Sequence, residues 1–385
     1  MIEKKQISWK DGIFLAIGLT LFLRLILFVV GYNFAIRFNR LPLTTREMDF
    51  SEDIPMDKND PWYFIVSPLH RFDALWYEEI AKNNYKNQPL TTAFFPLFPW
   101  IVGGMAKLFH TTFAVSAFFI NTFLTSIVFY LLYHLARMDY DENVAFRTVI
   151  IYAFFPASFF LLAPYAEPLL FVFILLSLIF AKRANFLLTV VFACLAAMTK
   201  PYAVAIVLPI FIILLQNFPL KKNIFKYFFL TLIPLIFLLV LGYQNVQSTK
   251  SVFYALGKGW SIRPVLPHEP LFAQVKIALK SPYDLPNDVN LMIVLFTIYY
   301  LIRTYKKRQW GYWLFVLVFF GIFYLYQFKG GQLFSVSRHA LIFFPMFMFL
   351  ANLKVSQIIE VLYFSSSILL MNMFFIYYTF GFFVA

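Results

Sequence analysis

A polytopic all-α membrane protein is the fold class this sequence predicts, and three observations predict it. Of the 385 residues, 61% are hydrophobic and only 13% are charged, and the mean hydropathy of +0.74 lies far outside the range of soluble globular domains. The apolar residues run continuously over stretches long enough to cross a hydrocarbon core of ~30 Å, instead of alternating as barrel strands do. Between these stretches the basic residues gather in short clusters: Lys182 with Arg183, then Lys221, Lys222 and Lys226, then Arg303, Lys306, Lys307 and Arg308. That is the positive-inside pattern, so the net charge of +13 speaks for topology and not for a nucleic-acid partner. The single cysteine, Cys194, lies in an apolar segment and leaves no intrachain disulfide and no cysteine metal cluster.

Placing the basic clusters in the cytoplasm orders the elements. Lys4, Lys5 and Lys10 lie inside, and the first helix spans 12–32; it is too long for a signal core and lacks a small-residue cleavage pattern. Residues 37–92 form a first external loop, and the short apolar piece 93–109 packs at the outer interface. Spans follow at 112–136 inward, 148–163 outward and 166–182 inward. The apolar run 186–216 is broken at Lys200-Pro201, because proline cannot donate the helical hydrogen bond and disfavours helix at the residue before it. Two short helices meeting near the outer face satisfy both this break and the basic cluster that follows. Then come 227–247 outward, an outer loop at 248–287, 288–303 inward, 310–328 outward, 339–353 inward and a last helix from 356. The sum is about eleven crossings in one transmembrane domain, residues 1–385, with external segments at 37–92, 164–167, 199–201, 248–287 and 329–338.

The ionisable residues at membrane depth collect on that external side. In "SPLHRFDALWYEEIAKNNY", residues 67–85, a helix over 72–84 puts Phe72, Leu75, Trp76 and Ile80 on one face and Asp73, Tyr77 and Asn84 on an adjacent one. Glu78 and Lys82 form an i,i+4 pair opposite, at the surface, and Glu79 falls within the apolar face without an assigned role. Such a helix lies along the outer membrane surface and holds Asp73 at the boundary of water and lipid. The rival reading is a solvated interfacial helix whose charges simply face water. Glu167, in "FFPASFFLLAPYAEPLLF", and Lys200, in "AAMTKPYAVAIVLP", interrupt transmembrane stretches, where an ionisable group costs on the order of 3 kcal/mol and a functional role is the default. An internal Glu–Lys pair is the structural alternative. Arg338 and His339 enter the membrane beside Gly330-Gly331, and arginine or lysine at that depth suits a lipid phosphate.

These residues carry a resemblance. "RFDALWYEEIAKNNY", then "AFFPLFPWIV", "FFPASFFLLAPYAEPLLFVF" and "TKPYAVAIVLP" resemble, in order and spacing, the PIG-V family of mannosyltransferases within the GT-C superfamily. The likeness is dense over 70–210 and thin afterwards, where "SVSRHALIFFPMF" is similar to a late arginine-containing segment of the superfamily. The resemblance implies a GT-C-type bundle with a catalytic aspartate in the first outer loop, here Asp73. It further implies a polyprenyl-phosphate-hexose donor as co-substrate and no metal or other cofactor. Trp76 stands where eukaryotic members often carry histidine, and Lys200 where arginine is common, so the resemblance fixes neither the acceptor nor the details of the donor, and the eukaryotic acceptor, a glycolipid anchor precursor, is not carried over.

The chemistry fits these positions. Glycosyl transfer passes through an oxocarbenium-like state, and inversion needs one carboxylate to take the acceptor's proton. Asp73 is the expected catalytic base, Lys200, Arg338 and His339 the expected donor-phosphate ligands, and Arg71, Tyr77, Tyr165 and Glu167 the expected substrate-binding groups. The acceptor is a glycan, a lipid or a protein, and membrane lipids are the surrounding partners. The acidic run Glu47, Asp49, Glu52, Asp53, Asp57 and Asp60 lacks the spacing of a cation loop, and His70, His110, His134 and His268 lack metal-ligand spacing. The main alternative is a transporter or flippase of a lipid-linked or anionic substrate, which predicts midplane charges and an internal repeat; a noncatalytic scaffold is a weaker one. Composition favours a bacterial plasma membrane, with the site on the extracytoplasmic side.

Overall fold

A computed structural model describes residues 9–37, 61–280, 284–307, 309–328, 333, 335–382 and 384. The acidic run at 47–60, Lys4, Lys5, Arg308 and Gly330-Gly331 lie outside the described residues.

The chain opens with helix α1 (Trp9–Arg37), followed by the short α2 (Tyr63–Val66), a 3₁₀ turn at Ser67–Leu69 and α3 (Asp73–Asn83). Next come α4 (Leu97–Leu108), α5 (Phe113–Arg137), α6 (Glu142–Ala153), α7 (Glu167–Lys182) and α8 (Phe186–Thr199). After a 3₁₀ segment at Pro201–Ile206 follow α9 (Val207–Asn217), α10 (Leu220–Phe228), α11 (Leu232–Gln247) and the single turn α12 (Val252–Tyr254). Strand β1 (Ile262–Pro264), α13 (Glu269–Lys280), α14 (Leu285–Thr304), α15 (Trp310–Leu325) and β2 (Tyr326–Phe328) lead to α16 (Val336–His339), α17 (Phe344–Ala351) and α18 (Gln357–Thr379). Among the described residues, five helical stretches are long and apolar enough to cross a membrane: Gly12–Asn33, Phe113–Arg137, Leu220–Gln247, Leu285–Thr304 and Gln357–Thr379. Shorter apolar helices, among them Phe186–Thr199 and Trp310–Leu325, fill the bundle between them.

Local chemistry sets the boundaries. Thr112, Asp141, Asn185 and Ser356 each accept a hydrogen bond from the backbone N–H three residues on, capping α5, α6, α8 and α18. The Asp141 cap starts α6 earlier than hydropathy predicts, and the chain leaves it at Ala153, ahead of Pro156; the expected span 148–163 is therefore a helix at Glu142–Ala153 plus a 3₁₀ turn at Ser158–Leu161. The break at Lys200-Pro201 stands as expected. The expected span 227–247 begins earlier, at Leu220, with a kink at Asn223. The expected 310–328 ends at Leu325, because residues 326–328 pair antiparallel with 262–264, Ile262 opposite Phe328.

Helix α7 is buried along most of its length, against α5 on one side and α8 on the other. Around this centre, α1 packs on α5 and α18, and α17 packs on α6. The outward faces of α1 and α18 expose Phe14, Leu21, Ile358 and Leu362, the apolar surface that a bilayer covers.

Candidate active site

The α7–α8 hairpin delivers two opposite charges to the same end of the bundle. Glu167 is the first residue of α7, where the helix N-terminus favours an anion, and Pro168 behind it fits the first turn. Lys200 follows the last residue of α8, where the C-terminus favours a cation. Their side chains meet at 2.9 Å (Nζ to Oε1), both buried.

Arg338 enters from α16. A left-handed Ser335 (φ 47°) turns the chain into this short helix, and Asn290 Oδ1 of α14 accepts from the Ser337 backbone N–H at 2.9 Å. The guanidinium then bridges two carboxylates. Nη2 donates to Asp73 Oδ2 at 2.7 Å, and Nε stands 2.8 Å from Glu167 Oε1 as a charge contact without the alignment of a full hydrogen bond. The result is one alternating line, Asp73–Arg338–Glu167–Lys200, whose four formal charges cancel. The Tyr165 ring lies 4.9 Å from the guanidinium and Phe160 5.5 Å, so the cation is also shielded by aromatic faces.

Asp73 is held from the backbone side. Phe72, immediately before it, has φ 51° and ψ −116°, a conformation costing on the order of 1–3 kcal/mol for a residue with a side chain. Two tyrosines keep it there. The Tyr165 hydroxyl accepts from the Asp73 N–H and donates to Arg71 O, each at 3.3 Å. Tyr378 of α18 donates to Leu69 O at 2.8 Å and to Arg71 O at 3.1 Å. Tyr165 is itself fixed by Asn121 of α5, which donates to its carbonyl at 3.0 Å and to that of Ala163.

The remaining expected site residues divide. Tyr77 packs edge-on against Phe94 and Phe98; its buried hydroxyl has no hydrogen-bond partner among the described residues. Burial, together with the charges of Glu167 and Asp73, pushes that hydroxyl well up from its ordinary value and keeps it a protonated donor. His339 stacks on Phe323 at 4.0 Å and meets the edge of Tyr202, at the turn that carries Arg338. Arg71 donates to the backbone carbonyls of His70 (3.0 Å) and Thr379 (3.5 Å), which ties the Asp73 segment to the end of α18. Glu167 Oε2 and Ser337 Oγ are buried without a hydrogen-bond partner among the described residues.

Glu78 differs from its expected place at the surface. Its carboxylate is buried, 2.7 Å from both His70 Nε2 and Lys82 Nζ, so the predicted i,i+4 pair exists but only Lys82 reaches solvent. Burial opposes the Glu78 charge, yet the contacts with His70 and Lys82 outweigh it and hold the carboxyl below its ordinary value. The helix as a whole is far more buried than a solvated interfacial helix, with Ala74 through Glu78 and Ile80 inside. Glu79 accepts from Asn83 at 3.1 Å.

Among the described residues, no three His, Cys, Asp or Glu gather as a set that could hold a metal ion. No curated protein matches the chain. Residues 88–243 match a protein family described as dolichyl-phosphate-mannose-protein mannosyltransferase. The match holds Tyr165, Glu167 and Lys200, whereas Asp73 and Arg338 lie outside it. With the apolar helices, it supports an integral-membrane, mannosyltransferase-like glycosyltransferase of the GT-C superfamily.

Proposed function

We propose that this protein is a PIG-V-like, inverting glycosyltransferase that moves a hexose, with mannose the first choice, from a polyprenyl-phosphate-linked donor to a hydroxyl of a lipid, glycan or protein acceptor. The site faces the extracytoplasmic side of the membrane. The observation that carries this reading is the buried line Asp73–Arg338–Glu167–Lys200, which puts one reachable carboxylate beside cations suited to a phosphate.

Asp73 is the general base. Its side chain keeps some exposure, whereas Glu167 is enclosed, so the acceptor hydroxyl meets Asp73 first. In the reaction the acceptor oxygen attacks the anomeric carbon as the bond from that carbon to the phosphate oxygen breaks; the hydroxyl proton passes to Asp73 and the electron pair leaves with the polyprenyl phosphate. Arg338 and Lys200, with His339 beside them, take the growing charge on the leaving phosphate. Arg338 Nη2 donates to Asp73 Oδ2 directly. A phosphate arriving at Arg338 competes with Asp73 for that guanidinium. Glu167 holds Arg338 and Lys200 in register, and Tyr77 and Tyr165 line the sugar's side of the site.

Purified protein incubated with a panel of polyprenyl-phosphate sugars and membrane lipids tests the reading. Transfer from a polyprenyl-phosphate hexose, lost in Asp73→Asn, is the expected result; a folded Asp73→Asn protein with full transfer sinks the assignment of the base.

A further inference from the structure

A further cation lies inside the membrane, away from the ion-paired line. Arg24 sits within the apolar span Gly12–Asn33 of α1 and is buried against α5. Its Nε donates to Thr122 Oγ1 at 2.8 Å and its Nη2 to Phe118 O at 2.9 Å, and the guanidinium covers the Phe118 ring at 4.1 Å. Nη1 is buried with no hydrogen-bond partner, and no carboxylate pairs with Arg24 among the described residues. A buried guanidinium held only by neutral groups is expensive, and an anion is what it lacks.

The space beside it fits an amphipathic anion. Arg24 lines a groove of about 260 Å³ whose other walls are apolar, among them Leu25 and Phe28 of α1, Leu69, Phe118 of α5 and Phe375 of α18. Leu25 and Phe28 belong to the exposed apolar face of α1, so the groove is reached from the hydrocarbon. Arg24 lies nine residues, roughly 14 Å at 1.5 Å per residue, from Asn33 at the outer end of its span, and its partner Phe118 lies nearer the surface. Phe118 is five residues into α5, roughly 8 Å from its start at 1.5 Å per residue, and that start lies at the same end of the bundle as Tyr165, which Asn121 holds. Local thinning of the bilayer brings a phosphate to a cation at that level.

We infer that this groove binds a membrane phospholipid with an anionic headgroup, its phosphodiester against the Arg24 guanidinium and one acyl chain along Leu25, Phe28, Leu69 and Phe375. A phosphodiester carries one negative charge and matches one guanidinium. The lipid is distinct from the proposed donor: no residue of the groove takes part in the Asp73–Arg338–Glu167–Lys200 line, and a donor's phosphate must lie at the anomeric carbon beside Asp73. The two sites nonetheless share a turn of α5, since Thr122 holds Arg24 while Asn121 holds Tyr165.

Native mass spectrometry of the full chain, released from detergent after exposure to equal phosphatidylglycerol and phosphatidylcholine of the same acyl chains, tests the site. Wild type is expected to retain phosphatidylglycerol at least about fivefold better, the equivalent of about 1 kcal/mol for one cation against an anionic lipid. Arg24→Gln is expected to lose that preference. Leu25→Trp, which fills the groove at an exposed position and leaves Arg24 in place, is expected to lower phosphatidylglycerol retention even if Arg24→Gln fails to fold. Equal retention of the two lipids by wild type, an unchanged preference in Arg24→Gln, or wild-type retention by a folded Leu25→Trp overturns the proposal. Displacement of phosphatidylglycerol one for one by polyprenyl phosphate also overturns it, because the groove then belongs to the donor.

Discussion

Replacing Arg338 by methionine is the sharpest probe of the ion-paired line. The guanidinium spans two carboxylates, with 2.7 Å to Asp73 and 2.8 Å to Glu167, and it is buried. Its loss leaves Asp73, Glu167 and Lys200, a net charge of −1 where there was none. Removing one partner of a buried pair costs about 3–5 kcal/mol, most of it from the charge left behind. The charge pattern makes a second, stricter prediction. Asp73→Asn in the Arg338→Met background removes the stranded carboxylate and leaves Glu167 with Lys200 intact at 2.9 Å, so the double variant should recover roughly 0.5–3 kcal/mol relative to Arg338→Met alone. Thermal unfolding of wild type, both single variants and the double variant in one detergent measures this cycle. If the effects of Asp73→Asn and Arg338→Met simply add, the two side chains are not coupled and the line does not hold together electrostatically.

Three further outcomes are expected. Tyr165→Phe removes the hydroxyl that accepts from the Asp73 N–H and donates to Arg71 O; transfer should fall about tenfold or more, a hydrogen bond's worth of positioning, in a protein whose unfolding curve matches wild type. The Glu78 carboxyl is held below its ordinary value, so the stability it contributes is complete above that ordinary range and is lost as pH falls through the lowered folded-state value. His70→Gln leaves burial to act against fewer contacts, so acid unfolding followed by tryptophan fluorescence should move to higher pH; an unchanged acid midpoint contradicts the assigned cause. At Gly103 an added Cβ meets the Ala81 Cβ at 2.9 Å, where α4 crosses α3, so Gly103→Val should cost about 1–3 kcal/mol of stability by forcing the two helices apart, and an unshifted melting curve argues against that close approach.

Much of the architecture is legible in the sequence because lipid imposes length and composition on every spanning helix. Phe113–Arg137, Glu167–Lys182 and the proline break after Lys200 follow directly from hydropathy and from what proline does to a helix. Other features are set by contacts that periodicity does not encode. Asp141 starts α6 with a single side-chain cap, and hydropathy averages over such a residue. The pairing of 262–264 with 326–328 involves three residues on each side, too few for an alternating pattern. Glu167 and Lys200 are conspicuous as charges in apolar surroundings, and the hairpin between them explains why they meet. That Arg338 joins Asp73 to Glu167 across 265 positions of sequence is a tertiary fact with no local signal. Glu78 reads as a surface charge because its partner Lys82 is one turn away, whereas the second partner, His70, lies outside the helix. Arg24, a lone arginine in "FLRLILF", carries the same signal as Glu167, an ionisable group inside a span, and hydropathy passes over it because its neighbours are so apolar.

The most direct test of the central claim is the initial rate of hexose transfer from a polyprenyl-phosphate donor by purified wild type and by Asp73→Asn, with matched unfolding curves. General-base catalysis contributes typically about 10²–10⁴-fold, and Asp73→Asn leaves Arg338 its contact with Glu167, so the account predicts that loss of rate in a folded protein. Transfer at the wild-type rate by folded Asp73→Asn contradicts it.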